Sequence, residues 1–510
     1  MPSSADATRV TFHPAHSTSG YRAALLLLIA LAALRLATAA FLPLSFDEAY
    51  FWLWSKHLAI SYFEHPPLIA FAIRSGTALL GDTELGVRLA SLFASLAASW
   101  AVWRAAALIF GGHSRAWTAC VYFNATLMLA SQGMAATPDI FVMAASAFLL
   151  LAIAKLQQSQ DRRWWIGVGL ALGAAMLAKY TAFFLALSVL VWTVVTPDGR
   201  RSLRSPWPYL AATIAVACLL PNLAWNDAHG WMSFKYQFGR IAAGRPGLQF
   251  VLEFLGAQIA LASPCILLLG AIGLTTSSTA TALRKPLAMA VALVWPAVAY
   301  FTLHALHDRV QGNWPSFVYP GLAILAASVE PIGGRWQGFI GWIQRSALPA
   351  AIAVLFVAYL QMWTGLLVHG KADPIARMTG IGLDRVTARI GSIAQARHAG
   401  ALVTTRYFMS GWLSFYVRPH LPVLQPTEGF RWSETAKADE ALLSGELLYV
   451  TERPDRELGE IKPYFMSIKP LECIPRTRNG VTIDRFCVFS LHGLRGGEPL
   501  LDARIVNGAR

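Results

Sequence analysis

A few polar stations stand out of an otherwise apolar chain. Asp47 and Glu48 open an aromatic-rich run, Phe46-Asp-Glu-Ala-Tyr-Phe-Trp-Leu-Trp54, and Tyr50 follows them closely. Glu64 and His65 precede Pro66 and Pro67; Asp139 follows Thr137-Pro138; Lys179 interrupts two apolar runs. His304, His307, Asp308, Arg309, Asn313 and Trp314 crowd one short link. A carboxylate at an interface can take the proton of a hydroxyl as general base. Lys, Arg and His beside it can hold a phosphate. A bland reading competes at every station. Asp47 or Glu48 can cap a helix, Glu64-His65 can be a turn, Asp139 can be an N-terminal helix charge, and Lys179 can snorkel. What favours chemistry is that all the stations fall on one face of the topology derived next.

The elements that position these residues are membrane spans. Of 510 residues, 55% are apolar and 14% are charged, with a mean hydropathy of +0.48. Soluble proteins carry about 25% charged residues, so a cytosolic enzyme and a disordered chain are excluded. Apolar runs near the ~20 residues needed to cross a bilayer fall at 22–43, 85–109, 115–132, 137–155, 163–178, 180–196, 207–224, 249–274, 286–304, 315–330 and 347–368. The first lacks a small-residue cleavage site and is expected to remain a span. With the N-terminus inside, 14 Lys and Arg lie in inside segments and 8 in outside segments, as the positive-inside rule requires. Most of the +14 net charge is therefore a topology signal. Arg35 falls within the first span with no evident partner.

Residues 1–370 thus read as a multi-spanning membrane domain. The segment 44–84 predicts two interfacial helices forming a shelf at a cavity mouth, the first started by Asp47 or Glu48, the second by Pro66-Pro67. Residues 371–510 read as a small outside α/β domain, with strand-length runs at 401–405, 447–451 and 487–491, a helix over 382–396 and a hairpin turn at Asn479-Gly480. Cys473 and Cys487 flank that turn and are either paired or free.

The motifs resemble the protein O-mannosyltransferase superfamily, which includes the lipid A aminoarabinose transferases. The resemblance rests on Phe46–Trp54, Tyr62-Phe-Glu-His-Pro-Pro-Leu68, Thr137-Pro-Asp139, Ala178-Lys-Tyr180, Pro221-Asn-Leu-Ala-Trp-Asn226 and Gln311-Gly-Asn-Trp-Pro-Ser-Phe-Val-Tyr-Pro320. It implies a polytopic α-helical C-type glycosyltransferase fold with about 11–13 spans plus the C-terminal α/β domain. It implies transfer of a sugar, with inversion, from a polyprenyl-phosphate donor to an envelope acceptor such as lipid A or another glycan. The place implied is the outer face of a bacterial inner membrane, with the N-terminus cytoplasmic and the C-terminal domain periplasmic. Asp47, Glu48 and Asp139 are then the catalytic candidates. Lys179, His65, Arg240 and Arg309 are candidates for the donor phosphate, and Tyr50, Glu64, His307, Asn313 and Trp314 for substrate contacts. The chain departs from the aminoarabinose transferases at His65, where they have Lys, and in Phe234–Arg240, which lacks their metal-holding His. No metal ligand is assigned, and a divalent metal is left open.

Two other readings share the composition. One is transfer to Ser or Thr of exported proteins. The other is a non-catalytic lipid-carrier flippase or transporter, which broken midplane helices would favour; the sequence suggests none.

Overall fold

The computed structural model describes residues 18–242, 244, 247–277, 284–330, 336–495 and 503–508. The helices run in chain order as α1 (Thr18–Phe41), α2 (Phe46–Lys56), α3 (Leu68–Leu80), α4 (Glu84–Phe110), α5 (His113–Ala125), α6 (Leu127–Gln132), α7 (Pro138–Ser159) and α8 (Trp164–Ala178). There follow α9 (Phe183–Val195), α10 (Pro197–Ser202), α11 (Trp207–Ala228), α12 (Met232–Ala242), α13 (Leu248–Ala262), α14 (Pro264–Thr276), α15 (Arg284–His304), α16 (Tyr319–Ala327) and α17 (Gln337–Thr364). After these come α18 (Pro374–Met378), α19 (Leu383–Ala396) and α20 (Tyr407–Tyr416). Among the described residues α1, α4, α7, α11, α15 and α17 are long and apolar enough to cross a membrane singly. The protein is a multi-pass membrane protein.

Two of the eleven apolar runs are not continuous helices. Thr126 separates α5 from α6, and its side chain caps the second. Ser263, with φ of +71° and Pro264 after it, bends α13 against α14 by 101°. A proline at the first position of a helix can start α14 but cannot continue α13. The expectation of no broken span is corrected here. Glu253 is the one charged residue on these two helices, and it is exposed, so the bend does not frame a buried ionic site of the transporter kind.

Buried Arg35 belongs to one of these breaks. Its Nη2 donates to the Asn124 carbonyl (3.2 Å) and to Asn124 Oδ1 (2.8 Å). Asn124 sits in the last turn of α5, where carbonyls lack intrahelical partners and the helix end is partially negative. A cation there needs no carboxylate.

The C-terminal part is built on a six-stranded sheet, comprising β1 (Ala401–Val403), β2 (Val423–Gln425), β3 (Leu447–Thr451), β4 (Phe465–Arg478), β5 (Val481–Leu494) and β6 (Arg504–Ile505) in the order β4-β5-β3-β1-β2-β6. β1 is parallel to both β2 and β3, with helices in the connections, so the unit is α/β. β4 and β5 form the expected hairpin. Its two-residue turn takes Asn479 and Gly480 to φ of 51° and 78°, the left-handed pair that a tight hairpin favours. Cys473 and Cys487 are joined across it.

The sheet does not stand apart from the membrane helices. α20 lies on α2, and a Cβ on Gly411 would be 2.7 Å from both the Ala49 carbonyl carbon and the Tyr50 nitrogen, so the backbones touch. One apolar core contains Ala49–Trp54 together with Leu383, Val386, Trp412, Leu413, Val450 and Phe486. This corrects the surface-shelf reading of α2. Residues Ala49 to Trp54 are all at most 5% exposed. The aromatic side chains that suggest an interfacial helix are instead its packing surface. The helix start is also reassigned. Ser45 is the cap: its Oγ accepts the Glu48 N–H (3.2 Å), and Glu48 Oε2 accepts the Ser45 N–H (2.8 Å), a capping box.

Candidate active site

Asp139 and Lys179 come together first. Asp139 occupies the first turn of α7, where the helix end favours a carboxylate. Lys179 is the extended residue that ends α8 before the single turn Tyr180–Ala182. Its Nζ reaches both Asp139 oxygens, at 2.8 and 2.9 Å, in a buried ion pair. Asn313 Nδ2 and Ser316 Oγ each donate to the same carboxylate at 3.0 Å. Four hydrogen bonds saturate Asp139, while Lys179, with three donors, keeps one free of it. Asn222, fully buried in α11, donates to Ser61 (2.6 Å) and to the Tyr180 hydroxyl (3.0 Å), fixing the residue after Lys179.

Lys179 opens on a cavity of about 340 Å³. Its polar lining includes His65, Gln237 and His304; Phe183, Phe184, Phe234, Phe238 and Phe301 supply apolar wall, with Tyr300 and Trp314. The combination is a basic mouth on an aromatic slot.

Asp47 and Glu48 are neighbours with opposite surroundings. Glu48 is 1% exposed and engaged at both oxygens: Arg88 Nε at 2.6 Å, Arg88 Nη2 at 2.8 Å, the Ala136 N–H at 2.9 Å, and the Ser45 N–H. Burial alone would raise its pKa, but Arg88 and the two backbone donors outweigh it and hold Glu48 below the usual carboxylate range. Arg88 also binds the Ala39 carbonyl (3.0 Å) and the Pro43 carbonyl (3.2 Å), tying α1, α2 and α4 into one joint. Asp47 is half-buried, and it has no hydrogen-bond or ion-pair partner among the described residues. Desolvation by the surrounding protein, with repulsion from Glu48 and Asp139, pushes its carboxyl up to about 7 against the opposing pull of Lys179. Asp47 does not line the cavity; it stands within electrostatic range of the Asp139–Lys179 pair beside it.

Comparison with known proteins places this geometry. Residues 64–225 match the family model of dolichyl-phosphate-mannose-protein mannosyltransferases, a stretch that holds Glu64, His65, Asp139 and Lys179. The lipid A galacturonosyltransferase RgtD of Rhizobium johnstonii is 24% identical over 421 residues, 80% of this chain and 85% of that protein. The crystal structure of ArnT from Cupriavidus metallidurans bound to undecaprenyl phosphate is 18% identical; it aligns over 93% of this chain and 98% of that one with a TM-score of 0.63. Its apo form gives 0.61. The chain is a membrane glycosyltransferase with the C-type fold, and its residues 64–225 are similar to the protein mannosyltransferases.

Within the glycosyltransferase, the structure redistributes several of the sequence candidates. Glu48 and Asp139 have both oxygens engaged by protein donors. Arg309 is exposed, is paired with Glu253 at 2.7 and 3.0 Å, and does not line the cavity. His307 packs its ring on His304 (4.8 Å) and does not itself line the cavity. Asn313 contacts Asp139 and Trp314 lines the cavity. The Arg240 side chain and Arg245 lie outside the described residues. Among the described residues, no three His, Cys, Asp or Glu side chains cluster as a metal site.

Tyr50 and Glu64 are bound to each other and to the sheet unit. Tyr50 is 1% exposed, and its hydroxyl donates to Glu64 (2.7 Å). The other Glu64 oxygen pairs with Arg431, on the single turn Gly429–Trp432 of the C-terminal sheet unit. Tyr407, at the start of α20, packs on Tyr50 (4.9 Å between rings). Arg88, Ser316, Tyr407 and Arg431 were not among the sequence candidates. Ser316 lies inside a quoted motif and Arg88 is a charge inside an apolar run, so both carried a signal; Arg431 and Tyr407 carried none.

Proposed function

We propose that this glycosyltransferase moves a sugar from a polyprenyl-phosphate carrier to a hydroxyl of lipid A or a related envelope glycan, with inversion, at the outer face of the membrane. The proposal includes an inside N-terminus and an outside sheet domain, which the Lys and Arg distribution supports. The observation that carries the reading is the unpartnered Asp47 carboxyl beside the Asp139–Lys179 pair, which is itself at the mouth of an aromatic cavity. Asp47 takes the proton of the acceptor hydroxyl as its oxygen attacks the anomeric carbon. The bond to the carrier phosphate breaks from the opposite side. Lys179, preorganised by Asp139, and His65 meet the phosphate charge as it develops. The cavity wall takes the isoprenoid. The names of RgtD and of the undecaprenyl-phosphate-bound ArnT support the acceptor and the carrier.

The test is incorporation of label from polyprenyl-phosphate sugars, the galacturonosyl and aminoarabinosyl forms included, into the lipid A, glycan and protein fractions of membranes that contain the protein. Label in lipid A or glycan is expected. Label in protein alone would replace the acceptor with Ser or Thr, and no transfer to any fraction would overturn the reading.

A further inference from the structure

We propose that Arg431, supplied by the C-terminal sheet unit, is a positioning residue that sets His65 in the carrier-phosphate cavity through Glu64. This rests on the function proposed above and adds a residue from a part of the chain that carries no motif. Arg431 is only 11% exposed in its side chain and reaches out of its own unit. It pairs with Glu64 and with Glu428 (3.2 Å) and stacks on Tyr407 at 4.4 Å and Phe63 at 5.3 Å. Arg is suited to this place because its planar fork can pair with a carboxylate and stack on rings at once; Lys can do the first only.

The loop it grips has little other freedom. Glu64 is held by the Tyr50 hydroxyl at one oxygen and by Arg431 at the other, and its main-chain carbonyl accepts from Gln237 Nε2 (3.1 Å). Pro66 confines the backbone of His65, and the His65 carbonyl accepts the Tyr62 N–H (3.2 Å). Gln237 and His65 both line the cavity. Moving Glu64 therefore moves the next residue, His65, and loosens Gln237. Arg431 touches the cavity by neither route directly; it acts through the loop.

The contact differs in kind from another bridge between the same parts. Glu434 accepts from Trp225 Nε1 (3.0 Å) and lies 3.7 Å from His229, at the end of α11. That bridge joins the sheet unit to the helices through Trp225 and His229, with no hydrogen bond from Glu434 to Glu64 or His65 among the described residues, so Glu434→Gln serves as control.

The experiment is a double-mutant cycle on purified full-length protein, with binding of polyprenyl phosphate as readout. Arg431→Gln is expected to weaken binding by about tenfold, a reasonable size for a displaced phosphate ligand, and by less than about twofold in a His65→Ala background. Arg431→Lys is expected to recover part of the affinity, and Glu434→Gln to bind as tightly as wild type. Equal losses in both backgrounds, or an Arg431→Gln protein that melts earlier yet binds as tightly, would overturn the proposal. If Arg431→Gln does not fold, Arg431→Lys carries the same cycle with a smaller expected loss, and additivity there overturns it too. Wild-type protein that does not bind polyprenyl phosphate would sink the function itself, which keeps the two failures apart.

Discussion

Asp47 and Glu48 are adjacent in sequence, yet one is raised toward neutrality and the other held below its ordinary range. Asp47 is a base only when ionised, so acceptor-dependent transfer is expected to rise with pH through about 7. Asp47→Asn should remove that limb and cut transfer by about 10²- to 10⁴-fold while carrier binding persists; a pH–rate profile with a binding assay reads both. A carboxyl raised on folding costs stability above its unfolded pKa, and the full cost is present once pH exceeds the folded value. Asp47→Asn is therefore expected to melt no lower than wild type at pH 8. Glu48 has the opposite sign. Its depressed pKa contributes stability above the ordinary carboxylate range, lost as pH falls through the folded value. Glu48→Gln leaves Arg88 buried without its charge and should destabilise the protein by about 3–5 kcal/mol, read as a lowered Tm. The sequence displayed both acids but could not sort them. That sorting depends on Arg88 and the Ala136 N–H, the latter 88 residues away.

The break between α8 and α9 and the first turn of α7 show what elements contribute. Each apolar run in the sequence is helical, because period and length are local properties. The breaks were only partly legible: the one at Lys179 was marked by its charge, whereas Ser263-Pro264 was hidden in apolar surroundings. Asp139 and Lys179 were separate stations in the sequence, and their pairing needed α7 and α8 to be packed side by side. The packing of α20 on α2 was not legible at all, since the only trace of a backbone contact is a missing side chain at Gly411. Gly411→Val is expected to cost about 1–3 kcal/mol, as overpacking generally does, even though Val lies within the range of ordinary helix formers. Thermal melting in detergent checks it, and the loss should carry transfer activity down with it, because Tyr407 and Arg431 are both near this contact.

At the scale of the molecule, the composition already placed the chain in a membrane, and the distribution of Lys and Arg proposes which way it faces. Single cysteines introduced at Gln160 and Ser444, both exposed, test this in intact cells: only the second should react with an impermeant thiol reagent, and the reverse would invert the topology. The α/β character of residues 371–510 was legible from strand-length runs and the Asn-Gly turn. Its union with the first loop was not, because α2 reads equally well as an interfacial helix and as a core helix. Truncation after residue 370 is expected to uncover the apolar surface of α2 and yield protein that aggregates on extraction, read by size-exclusion chromatography. A monodisperse, active truncation would show that the shared core is dispensable.

The cover over α2 is made by α20, from much further along the chain. The Tyr416 hydroxyl binds the Leu44 N–H across 372 residues of sequence, and the Trp412 indole binds the Leu44 carbonyl across 368. During synthesis the helices around Asp47 are in the bilayer long before their cover exists. Domains fold in the order of their emergence, and partly folded chains expose apolar surface while they wait. The first loop therefore stays without this cover until α20 has been made and brought to that face.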